Sequence, residues 1–145
     1  MTGTGLPAAL EVTADAHGLG SILAFMAKAF DRAGVAGAAR HDLRLAVEEV
    51  CANVILHGYA PGAPGSIRVA FRAGPGSWEV VVEDRAAPFD PASAPAPDLA
   101  SGWRDRNPGG HGWSLVRAVV DEVRHEDVAP RGNRVTLVKF MEGRP

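Results

Sequence analysis

Cysteine is nearly absent from this chain. Cys51 is the only one in 145 residues, so no internal disulfide can form and no thiolate cluster exists for zinc or an iron–sulfur centre. The five histidines show no metal-ligand spacing either. A strong net charge is also missing: 15 Lys and Arg against 17 Asp and Glu leave a formal charge of -2, without the basic footprint that nucleic-acid binding demands. No segment reaches the roughly 18 uninterrupted apolar residues of a membrane span. The opening MTGTGLPAAL carries no basic region ahead of an apolar core, as a secretory leader would. These absences predict a soluble, cytoplasmic protein with no zinc centre, no direct nucleic-acid partner and no membrane association.

What is present is apolar material in an ordered pattern. A hydrophobic fraction of 46% in 145 residues predicts a single domain over 1–145, with its core at about 10–141. LEVTA at 10–14 alternates like a strand, and Ile22, Phe25, Met26, Ala29 and Phe30 then recur at helical spacing until Gly34. A second helix is expected from about Asp42 to His57. SIRVAF at 66–71 and WEVVVED at 78–84, joined by RAGPGS, read as a hairpin. Residues 90–108 are so rich in Pro, Ala and Ser that no periodicity survives, which predicts a long loop, either of the lid or binding type or simply disordered. GGHGWSLVRAVVDEV then turns helical, and VRHEDV with NRVTLVKF at 133–140 supplies a closing pair of strands. The order β-α-α-β-β-loop-α-β-β predicts an α+β fold, a two-layer α/β sandwich whose mixed, mostly antiparallel sheet carries helices on one face.

Three places in this pattern suit chemistry. On the second helix Leu43, Ala46, Val47, Val50 and Val54 form one apolar stripe, and Glu49 and Asn53 share the face at its edge, with Glu48 nearer solvent. An amide oxygen is a hard neutral ligand for Mg²⁺, and a carboxylate one turn earlier can orient a water or accept a hydroxyl proton. The plain alternative is an ordinarily solvated helix edge. Asp84 ends a very apolar strand at a Pro-containing turn; an ionised carboxylate there accepts a hydrogen bond, for example from the exocyclic amine of adenine, or simply caps the turn. GGHGWSL opens a helix with glycines and can present backbone N–H groups to phosphates. It lacks the lysine and Ser/Thr of a P-loop. His57 at a helix end, His111 between glycines, Arg104 and Arg106 in the loop, and Trp103 and Trp113 beside the glycines are weaker candidates, each with a duller capping, solvating or core-filling alternative.

Taken together, Glu49-x-x-x-Asn53, the strand-end Asp84 followed by PFDP, and GGHGWSLVRAVVDEV followed by GNRVTLVKF resemble the anti-sigma-factor serine/threonine kinases. These belong to the ATPase superfamily shared by sensor histidine kinases, DNA gyrase and the heat-shock chaperones. The resemblance covers roughly residues 10 to 141. It implies ATP and Mg²⁺, a sigma factor as bound partner, an anti-anti-sigma (STAS-domain) protein as phosphorylated antagonist, and a possible homodimer. Residue by residue it implies Glu49 as general base, Asn53 as Mg²⁺ ligand, Asp84 as the adenine-binding aspartate, and Gly110 and Gly112 as phosphate-loop glycines under a lid formed by about 91–108. It further implies nucleotide contacts from His57, Ala86, Phe89, Arg104, Gly109, His111, Trp113 and Thr136. One departure stands out: Ala86 and Pro88 occupy positions where the family usually has glycine. A degenerate, non-catalytic module that regulates a partner by binding alone is the competing expectation.

Overall fold

The structure, a computed structural model, describes residues 8–60, 62–87 and 108–141. The first strand, β1 (Ala8–Thr13), is followed by Asp15, whose carboxylate accepts from the Gly18 backbone N–H at 2.7 Å and caps α1 (Ala16–Ala33). Gly34 closes that helix in the left-handed conformation at φ 75°. The next helix, α2 (Gly37–Asn53), begins five residues before the Asp42 expected from periodicity. Its start carries no sequence signal, because Ala36 sits at the cap position without a side-chain bond to the helix. Arg40 holds the corner between the two helices: its guanidinium bonds Asp31 at 2.7 Å and lies 5.6 Å from the Phe30 ring centroid.

The α2 helix does not stop at Asn53 but widens into a single π-helical turn (Val54–Gly58) before Tyr59 becomes extended. The hairpin follows as β2 (Ser66–Gly74) and β3 (Ser77–Asp84). Next comes α3 (Pro108–Val119), with proline in its first turn where a missing N–H costs nothing. The pair β4 (Glu122–Asp127) and β5 (Asn133–Phe140) closes the fold. Among the described residues the five strands order as β1-β2-β3-β5-β4, and all four pairings are antiparallel. Since β5 inserts between β3 and β4, its first residue, Asn133, becomes the ladder partner of Asp84, the last residue of β3.

Alternation along the strands sends Ile67, Val69, Val80, Val82, Val135 and Leu137 into one face of the sheet. There they meet Ile22, Met26 and Phe30 of α1 and Leu43, Val47 and Val50 of α2, all of them buried. Each such side chain contributes about 1.5–3 kcal/mol by leaving water. Phe30 and Phe71 meet edge to face at 5.7 Å between centroids, locking α1 onto β2. Lys139 reaches across from β5 to the carbonyl of Val119, at 2.8 Å, and to Asp42 of α2, at 3.1 Å, fixing the C-terminal end of α3. The result is the predicted two-layer α+β sandwich. Among the described residues no helix is long and apolar enough to cross a membrane.

Candidate functional site

The helix stripe packs as its spacing requires: Leu43, Ala46, Val47, Val50 and Val54 are all buried. Glu49 and Asn53, one turn apart on the neighbouring face, are half-buried, anchored by that stripe yet in reach of solvent. Glu48 does something different. It points to Arg44 one turn back, 3.6 Å away, as a solvent-facing ion pair. Of the two adjacent glutamates, only Glu49, four residues before Asn53, shares its helix face.

The π turn brings the chain leaving Asn53 alongside the residues that follow β3, before β2 begins. Gly58 lies against Ala86: a β-carbon at Gly58 would stand 3.3 Å from the Ala86 methyl. The next residue clasps the junction. Tyr59 Oη donates to the Ser66 carbonyl at 2.7 Å and accepts the Arg85 backbone N–H at 2.7 Å. Its ring lies over Gly65, where any β-carbon would sit 2.3 Å from ring carbon. Burial pushes the Tyr59 hydroxyl above its ordinary pKa of 10.0, and the nearby Asp84 carboxylate adds to the rise. The hydroxyl consequently stays protonated and keeps both bonds at neutral pH.

Asp84 itself is buried, 6% exposed. Its Oδ1 accepts two hydrogen bonds, from the Ala86 backbone N–H at 2.8 Å and from Asn133 Nδ2 at 3.0 Å. Asn133 Nδ2 also donates to the Ala87 carbonyl at 3.0 Å, so the amide nitrogen is oriented by two acceptors. That orientation leaves Asn133 Oδ1 facing His125 Nε2 at 2.8 Å. An amide oxygen only accepts, which assigns the proton to Nε2 of His125. The plain alternative for Asp84, capping the turn, is thus carried out by Oδ1. No hydrogen bond among the described residues engages Oδ2.

Ala86 takes its place without strain. No non-glycine residue described here has positive φ, and its methyl is buried, 3% exposed, in the junction with Gly58. Alanine is therefore compatible with this turn.

One expected site residue is placed elsewhere. Thr136 lies on the opposite face of the sheet from Asp84, because Asn133, Val135 and Leu137 alternate toward the core while Thr136 pairs with Val81 and Arg124 on the other side. The residue that β5 brings to Asp84 is Asn133. The signal was available in the parity of GNRVTL, since a threonine three places beyond the strand's first residue must face the other way. His57 is exposed on the π turn, and Trp113 is packed into the core at 3% exposure. The backbone of Gly109, Gly110, His111 and Gly112 forms the first turns of α3, which the α2–α3 packing sets beside the helix bearing Glu49 and Asn53. Phe89, Arg104 and most of the expected lid at 91–108 lie outside the described residues.

The described residues thus include a buried carboxylate at a strand end, a carboxylate and an amide on one face of α2, and α3, which opens with glycines and packs against α2. Residues 12–139 match the model of the histidine kinase-like ATPase domain. A serine/threonine-protein kinase of Bordetella bronchiseptica, BtrW, is 35% identical over 78 residues, 54% of this chain and 55% of that protein. The serine-protein kinase RsbW of Bacillus subtilis is 30% identical over 106 residues, covering 70% of this chain and 65% of that protein. The matched region thus spans between half and two-thirds of these relatives. Among solved structures, the RsbU and RsbW domains of a Mycobacterium tuberculosis protein superpose with a TM-score of 0.66 at 22% identity, over 94% of this chain and 32% of that one. At that identity the likeness concerns the fold.

Proposed function

Since this chain belongs to the histidine kinase-like ATPase domain family, we propose that it is an ATP-dependent serine/threonine protein kinase of the anti-sigma type. In this reading it holds a sigma factor and phosphorylates a STAS-domain antagonist. The observation that carries the nucleotide part is Asp84: one carboxylate oxygen accepts from Ala86 and Asn133, and the other, with no bond among the described residues, would accept the exocyclic amine of adenine. The anti-sigma part rests on the resemblance of the three-motif set.

The donor set fits the groups this reading requires. Asn53 offers an amide oxygen of the kind Mg²⁺ takes, and the bound ion would neutralise charge on the phosphates. The N-terminal turn of α3, with its glycines, offers backbone N–H groups to the same phosphates. Glu49 is the base. It accepts the proton of the partner hydroxyl as that oxygen bonds the γ-phosphorus and the bond to the β-phosphate oxygen breaks, releasing ADP. Glu49 is suited to this by sharing the helix face of Asn53, one turn away.

Calorimetry with ATP, with and without Mg²⁺, tests the nucleotide reading; Mg²⁺-assisted binding is expected. Single-turnover transfer from ATP to the cognate STAS-domain protein tests the kinase reading. No heat at millimolar ATP would replace it with partner regulation by binding alone.

A further inference from the structure

We propose that Tyr59 is a positioning residue of the nucleotide site, setting the Asp84 carboxylate relative to the Glu49–Asn53 face by clasping the turn after β3 to the chain leaving α2. The inference rests on the nucleotide reading above and adds a residue and a role to it.

Four observations converge on this side chain. Its hydroxyl uses its one donor on Ser66 O and accepts from Arg85 N, both at 2.7 Å, so both functions of the group are spent on backbone. Arg85 directly follows Asp84, and the clasp therefore fixes the peptide that orients the carboxylate. Tyr59 directly follows the π turn, five residues that separate it from Asn53, so displacement at one end is passed to the other. Gly65 leaves room for the ring, and Gly58 leaves room for Ala86 to close against the same turn. Packing alone would need none of these polar contacts.

Tyr59→Phe keeps the ring over Gly65 and removes both bonds. The Arg85 N–H is solvent-exposed in its bond to Tyr59, so water replaces the lost acceptor and the variant is expected to fold. A positioning role predicts a specific loss. Binding of ATP is compared with binding of purine riboside triphosphate, which lacks the 6-amino group and hence the donor for Asp84. Wild type should prefer ATP, and Tyr59→Phe should reduce that preference by roughly three- to tenfold, the worth of one net hydrogen bond. Its affinity for purine riboside triphosphate should change by less than about twofold, because a contact absent from that complex cannot be lost.

Equal losses for both nucleotides, or an unchanged preference, would overturn the positioning role while leaving the nucleotide reading intact. A wild-type chain that binds neither nucleotide overturns both. Amide exchange in the wild-type chain gives a second measurement, needed if the variant does not fold. The Arg85 N–H should slow further with ATP than with purine riboside triphosphate, and equal protection by the two would count against the clasp.

Discussion

Asp84 and Asn133 are ladder partners across β3 and β5, and the amide of one donates to the carboxylate of the other at 3.0 Å. Neither is close to the other in sequence; 49 positions separate them. The pair sets which oxygen of Asp84 is spent inside the protein and which is offered outward. Asn133→Ala removes the donor to Asp84 and to the Ala87 carbonyl and the acceptor for His125. Leaving buried polar groups unpaired costs about 1–3 kcal/mol. Chemical denaturation should show that loss, together with weakened ATP binding, whereas Thr136→Val, on the far face, should leave ATP binding unchanged.

Glu49 and Asn53 should separate kinetically. Glu49→Gln keeps size and hydrogen bonding but not the proton acceptor, so ATP affinity should hold while single-turnover transfer falls by roughly 10²-fold or more. Asn53→Ala should weaken Mg²⁺-dependent ATP binding itself. A wild-type transfer rate in Glu49→Gln would remove the base assignment.

Gly132 is expected to tolerate no side chain. Its φ is +149°, and a β-carbon there would lie 2.2 Å from the Asp84 carbonyl oxygen. Gly132→Ala must shift either β5 or the Asp84 turn, at a cost of about 2–4 kcal/mol in thermal or denaturant unfolding. Nucleotide affinity should fall with it, since the displaced backbone is that of Asp84.

Cys51 is expected to make stability fall at high pH. Burial pushes its thiol from 9.0 up to about 12 in the folded chain, while the unfolded chain keeps the ordinary value. Below pH 9 both states hold the proton and stability is independent of this group. Above it the unfolded state ionises first, so the folded state binds more protons and stability declines as pH rises, by up to about 1.4 kcal/mol per pH unit. Cys51→Ala should flatten the denaturation midpoint between pH 9 and 10, below the region where Tyr59 adds its own slope. An unchanged alkaline slope would show that the thiol is not its source.

Local pattern was enough for much of this protein. The 3.6-residue stripe from Leu43 to Val54 and the alternation in WEVVVED and NRVTLVKF each express a periodicity carried by neighbours in the chain, and they identified the helix and strands that the structure contains. The same stripe singled out Glu49 and Asn53, because residues four apart share a face wherever a helix forms. The early start of α2 was not legible, since Ala36 and Gly37 offer no side-chain cap to mark it. Nor was the pairing of Asp84 with Asn133: it follows from β5 entering between β3 and β4, and strand order is a property of the whole sheet. That placement exchanged Thr136 for Asn133 at the site, because shifting by an odd number of residues on a strand moves a side chain to the other face. The Tyr59 clasp belongs to the same class, built from a hydroxyl and two backbone groups of separate segments that only the folded chain brings within 2.7 Å.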